Sequence, residues 1–152
     1  MSTLKQYTKN ILLAIFIFCA TISNAQNRSM GSDGILGKLQ IVIDAAEERD
    51  LEVVRIEADI IRTSKETVRN LDPSFSYDIV AVASNRIKDV DLAVFKKEGN
   101  DWVLVTKDDE SGDIAAVSLK PTEYSEYKIV VTAYEFHSGY DVGHYGLVVV
   151  HD

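Results

Sequence analysis

The sequence predicts a mostly β protein, an antiparallel sandwich or barrel with one N-terminal α-helix. Three observations carry that reading. Apolar residues recur at three- and four-residue steps between Leu36 and Ala46. Beyond it, short runs rich in β-branched and aromatic residues alternate with turn signals about every eight to twelve residues. The two prolines, Pro73 and Pro121, both fall between such runs, where strands tolerate them.

The chain opens with the three parts of a secretory signal. Lys5 and Lys9 supply positive charge, Ile11 to Ile22 is an apolar run broken only by Thr21, and Ser23-Asn24-Ala25 places small residues before a cut at Gln26. The run is too short for a spanning helix, which needs about 20 apolar residues. Phe18 before Cys19 argues against a lipid anchor on that cysteine. Residues 1–25 therefore read as a signal peptide, and the destination as secreted or periplasmic. Cleavage removes Cys19, the sole cysteine, so the mature chain is expected to have no disulfide and no thiolate chemistry. It also removes Lys5 and Lys9, which takes the net charge from −8 to −10. No basic stripe remains, so nucleic acid and anionic membrane are poor partners.

Residues 26–50 read as a polar lead and an amphipathic helix, and 51–152 as one β-sandwich domain. Ser32 or Asp33 caps the helix, and Leu36, Leu39, Ile43 and Ala46 form its apolar face. The period then changes. Val54, Ile56, Ala58 and Ile60 alternate with Arg55, Glu57 and Asp59, which predicts a strand buried on the apolar side. A helix continuing to Ile61 also fits the spacing, but the density of β-branched residues favours the strand.

Thr63-Ser64-Lys65 reads as a turn into a return strand, Glu66 to Leu71, and Asp72-Pro73-Ser74 as the next turn. Strands follow at Tyr77–Ala83 and at Lys88–Phe95, the latter with Val90, Leu92 and Val94 inside. Glu98-Gly99-Asn100-Asp101 turns the chain into Trp102–Thr106. An acidic loop runs from Asp108 to Asp113. Ile114–Leu119, Tyr127–Tyr134 and Tyr145–His151 are the remaining strands.

From Tyr77 onward the order of motifs resembles the bacterial pre-peptidase C-terminal domain, a jelly-roll-like β-sandwich. The resemblance rests on Tyr77-Asp78-Ile79-Val80-Ala81-Val82, on Asp89-Val90-Asp91-Leu92-Ala93-Val94, on Lys120-Pro121 followed by Tyr127-Lys128-Ile129-Val130-Val131, and on Gly143-His144-Tyr145-Gly146-Leu147-Val148-Val149. It covers roughly half of the chain. It implies a non-catalytic accessory domain, of a kind in which some members bind calcium or extracellular polymers.

The residues themselves offer few chemistries. Asp108, Asp109 and Asp113, in a loop with Glu110, Ser111 and Gly112, are the metal candidates. Calcium takes six to eight oxygens, and a carboxylate-rich turn supplies several. A solvated turn explains the same residues. Asp89 and Asp91 sit two apart, on one face of a strand, where they would face water opposite Val90, Leu92 and Val94, or where Asp89 would satisfy a turn backbone. His137, His144 and His151 are seven apart, which suits no helical zinc motif. No Gly-x-Ser-x-Gly, His-Glu-x-x-His or phosphate loop is present.

Tyr134, Phe136 and Tyr140 crowd the last loop and its flank, and are the candidate binding surface for an extracellular or periplasmic polymer, protein or glycan. Rings plugging the end of a sandwich are the plainer alternative. The expectation is a non-catalytic binding or accessory module, calcium-supported if the acidic loop holds an ion. The alternatives are a small hydrolase using Asp89 and Asp109 as paired carboxylates, and a structural protein assembling through its helix.

Overall fold

A computed structural model describes residues 34–152, so the expected signal peptide and the capping residues Ser32 and Asp33 lie outside the described residues. One helix, α1 (Ile35–Glu47), precedes eight strands: β1 (Glu52–Ile61), β2 (Ser64–Leu71), β3 (Tyr77–Ala83), β4 (Ile87–Glu98), β5 (Asp101–Asp108), β6 (Ile114–Leu119), β7 (Ser125–Phe136) and β8 (Gly143–His151). They form two four-stranded antiparallel sheets, ordered β1-β8-β3-β6 and β2-β7-β4-β5.

The pairing is nested. At its centre β4 and β5 join through Gly99-Asn100, with Glu98 opposite Asp101. Gly99 takes φ 61, the left-handed value that the first central residue of a two-residue hairpin turn requires. Outward from there, β3 pairs with β6, β2 with β7, and β1 with β8. A long double ribbon rolled in this way is a jelly roll.

The main core fills the space between the sheets. Ile79, Ala81, Leu147 and Val149 from one sheet meet Val90, Leu92, Val94, Ile129 and Val131 from the other. The expected inner face of β4 is therefore the observed one. A second apolar layer lies outside the first sheet. Ile35, Leu39 and Ala46 of α1 cover Val80 and Val82 of β3 and Val148 and Val150 of β8. This explains why Ile79–Ala83 and Gly146–Val150 are apolar at every position: both faces of these strands are buried. Each large apolar side chain removed from water there contributes about 2 kcal/mol. At one point the helix lies very close to the sheet. A Cβ on Gly146 would stand 2.6 Å from Leu39 Cδ2. Lys38 ties the helix down from the side, with Nζ 2.5 Å from Asp113 Oδ2 and 2.6 Å from the carbonyl of Ala83.

Three expectations are corrected. The docked face of α1 runs through Ile35, Leu39, Val42 and Ala46, and Leu36 is 60% exposed. The helix begins after Gly34, at φ 78, so its phase is set one residue earlier than the Leu36-based face. Second, β1 and β2 are not a hairpin: β1 joins β8 and β2 joins β7, and the chain turns a corner between sheets at Thr63. There the Thr63 carbonyl accepts from Ala133 N at 2.8 Å.

Third, β1 is a strand, but its faces are reversed. A bulge between Val53 and Arg55 shifts the register, and a slip of one residue exchanges the two faces. Val54 and Ile61 reach the core, while Ile56 and Ile60 stand 50% and 52% exposed.

Candidate functional site

Because α1 covers the β1-β8-β3-β6 sheet, the outer face of the β2-β7-β4-β5 sheet is the one left open. Alternation places its outward side chains. Register then aligns Val68, Lys128, Phe95 and Leu104 in one row across all four strands. Glu66, Val130, Ala93 and Lys107 form the next row, and Trp102 stands opposite Lys97 on the other side. Val68 and Leu104 are about half exposed, and Phe95 and Trp102 are half-buried.

Two lysines lie over these rings. Lys97 Nζ is 4.8 Å from the Trp102 centroid, and Lys128 Nζ is 5.1 Å from that of Trp102 and 5.4 Å from that of Phe95. Their ammonium groups are held by the ring faces while their stems add apolar area. Lys128 also approaches Glu66, at 3.7 Å. The result is a shallow, mostly apolar strip with cations set into it. Such a surface suits a flat ligand that has both apolar faces and polar edges.

The three predicted binding residues separate. Tyr134 follows Lys128, Val130 and Thr132 on the outer side of β7, at a bulge against Asp89 and Val90, and is 71% exposed. It therefore extends the open face at one end. Tyr140 is 49% exposed in the β7–β8 loop, with the Arg86 guanidinium 5.3 Å from its ring centroid. Phe136 packs against the main core and serves as an end plug. Among the described residues no ring contact joins the three.

Phe95, Trp102, Val68 and Leu104 were not singled out from the sequence. A usable signal was present: in β4, β5 and β7 the outward positions carry Ala93, Phe95, Trp102, Leu104 and Val130, where a solvated face would alternate to polar residues.

The acidic loop is held by protein contacts. Asp108 turns back on the chain, with Oδ1 accepting from Glu110 N at 3.1 Å and Oδ2 from Ala116 N at 2.8 Å. Asp109 pairs with Lys107 on the surface. Asp113 is drawn to Lys38 of α1. The three predicted metal residues are thus taken up by three different partners. Among the described residues no group of three or more acidic or histidine side chains converges to hold an ion.

Asp89 does not face water; it takes its other expected role and satisfies a turn backbone. Bulges on both sides of it in the β4–β7 ladder turn the carboxylate inward, where it is 5% exposed. It accepts from Ser111 Oγ at 3.0 Å and Gly112 N at 2.9 Å, and so pins the acidic loop to β4. Asp91 stays on the outer side. Burial, then the negative charges of Asp89, Asp109 and Asp108, raise its pKa, with Lys107 opposing. With Asp89 committed to the loop backbone and Asp109 to Lys107, the two are engaged separately and not as a free carboxylate pair.

The histidines stay apart as well. His151 stacks on Phe75 at 4.1 Å, while the His137 backbone N–H donates to the Arg86 carbonyl in the β7–β8 loop. Among the described residues no helix is long and apolar enough to cross a membrane.

No protein-family model and no curated protein sequence matches the chain. Solved structures similar to it include the pre-peptidase C-terminal domain of collagenase from Bacillus anthracis, at 14% identity and a TM-score of 0.47, covering 62% of this chain and 87% of that one. The Yersinia pseudotuberculosis-derived mitogen is similar at 12% identity and a TM-score of 0.48, covering 64% and 84%. The xylan-binding module CBM86 of Roseburia intestinalis is similar at 12% identity and a TM-score of 0.37, covering 68% and 88%.

Proposed function

We propose that the chain is an exported, non-catalytic binding module that holds a glycan strand against the outer face of the β2-β7-β4-β5 sheet. One observation carries this reading: a helix covers one sheet, whereas the other keeps apolar and aromatic side chains at outward positions across all four strands. An uncovered strip of that kind on a sandwich is a recognition surface. Phe95, Trp102 and Tyr134 offer ring faces and edges to sugar rings, and Lys97 and Lys128 stand ready for carboxylates along the strand. Tyr140 borders the same end and is a secondary contact.

Non-catalytic action is supported by the carboxylates, since Asp89, Asp108, Asp109 and Asp113 are each engaged in holding the acidic loop. The loop keeps its shape through protein contacts. Export rests on the signal-like residues 1–25.

Affinity electrophoresis through gels containing xylan, a β-glucan or polygalacturonate tests the reading. The folded chain is expected to be retarded by at least one of them. Trp102→Ala should weaken that retardation about tenfold, the loss of about 1.4 kcal/mol of aromatic contact. Glu48→Ala, on the far side of the sandwich, should leave it unchanged. Equal retardation of the wild type and Trp102→Ala, or none in any gel, would reject the reading.

A further inference from the structure

On the opposite flank from β5 and β6, the edge strands β1 and β2 belong to different sheets and share no ladder. Side chains bridge the seam instead. The bulge that reverses β1 puts Glu57 on the seam with the exposed Arg55 beside it, and β2 brings Thr67 and Arg69 in from the other side. Tyr145 of β8 completes the group.

The Glu57 carboxylate is fully used. Arg55 donates to Oε1, Thr67 Oγ1 donates to Oε1 at 2.8 Å, and the Tyr145 hydroxyl donates to Oε2 at 3.3 Å. Asp59, further along β1, is held by Lys65 at 2.7 Å.

Arg69 is left over. Its Nε and Nη1 are buried and have no hydrogen-bond partner, and among the described residues they are the only buried side-chain nitrogen or oxygen atoms in that position. Burial, then the like charge of Arg55, lower its pKa, and Tyr77 and Glu57 only partly oppose that. Arg55 thus takes the Glu57 carboxylate, and Nε and Nη1 of the second guanidinium, on Arg69, stay without an acceptor. A buried cationic donor without an acceptor is unfavourable, and a planar guanidinium is matched by the oxygens of a carboxylate, sulfate or phosphate group. Arg69 as a whole is only half-buried, and no ladder closes the seam on that flank.

We propose that the seam between β1 and β2 is an anion-binding site, in which a small oxyanion group accepts from the Arg69 guanidinium beside the Arg55–Glu57 pair. The site is on the inner side of the sandwich, away from the proposed glycan face, and does not depend on it.

Thermal unfolding of the purified chain in chloride buffer, with added sodium sulfate, phosphate or acetate at matched ionic strength, tests the site. A ligand that binds only the folded state raises the midpoint. The expected result is a saturable rise of several degrees with at least one of the three, lost in Arg69→Gln and retained in Glu48→Ala and in Trp102→Ala. The same rise in Arg69→Gln, or no rise in the wild type, would overturn the proposal. Should Arg69→Gln fail to fold, the Arg69 Nε–H resonance of the wild-type chain decides. It should move saturably with the anion, and a resonance that stays still under all three anions overturns the site.

Discussion

At the scale of single residues, polar groups buried by local irregularities hold this fold in shape. Asp89 is the clearest case. Its carboxylate takes a hydroxyl and a backbone N–H from the acidic loop, and both are charge-assisted bonds. Asp89→Ala should therefore cost about 2–4 kcal/mol of stability in urea unfolding and speed amide exchange at residues 109–113. Asp89→Asn, which keeps an acceptor for Gly112 N, should lose less. An Asp89→Ala chain as stable as the wild type would show that the loop stands without its anchor.

Tyr145 makes a pH-dependent contribution. Burial first, then the Glu57 charge, push its pKa from 10.0 up to about 12. A raised pKa means the folded state favours the neutral hydroxyl, so its stabilisation is complete below pH 10 and is lost as pH rises through about 12. The loss amounts to about 2–3 kcal/mol. Tyr145→Phe should lack this component, so the wild-type advantage over it should shrink across that window. A constant difference from pH 8 to 12 would contradict the assignment.

Much of this was hidden from the sequence. Asp89 and Asp91 look equivalent there, because alternation treats them alike. The bulges that separate them depend on β7, which lies far away in the chain.

At the scale of elements, strand positions were legible and strand faces less so. β3 and β6 match the sequence reading residue for residue, and β4, β5, β7 and β8 differ only by extension at their ends. Turn residues and β-branched runs are local signals, and they suffice for this. The reversal of β1 came from a bulge, which composition does not announce. The pairing of β2 with β7 required the whole roll, since a short link between two strands usually predicts a hairpin.

The helix was legible as an amphipathic element that must dock, and it docks at Gly146. Gly146→Ala should force Leu39 aside and cost about 1–3 kcal/mol. Leu39→Ala makes room for that methyl group. The double variant should therefore be more stable than the two single losses add up to, read from unfolding midpoints as a coupling between the sites. Simple additivity would mean that the helix does not seat on that glycine. The docking also argues against assembly through the helix, since its apolar face is already buried within the chain.

At the scale of the whole molecule, the asymmetry between the two sheets matters most. Rolling a nested ribbon produces two outer faces, and a single helix can cover only one of them. The covered face explains the strands that are apolar on both sides. The uncovered face explains nothing in the fold, yet carries Phe95, Trp102, Val68 and Leu104 in register with Lys97 and Lys128. The sequence points to aromatics near Tyr134, and Tyr134 stands at one end of this face. The rest was invisible because its residues come from four strands that meet only in the folded roll.

The proposed binding face is the outer face of the β2-β7-β4-β5 sheet. Amide resonances of the folded chain, titrated with soluble fragments of xylan, β-glucan and polygalacturonate, test it most directly. Saturable shifts should cluster at Phe95, Trp102, Leu104, Lys128 and Tyr134 and leave α1 and β3 still. Shifts centred on α1 or the acidic loop, or no shifts with any of the three glycans, would contradict it.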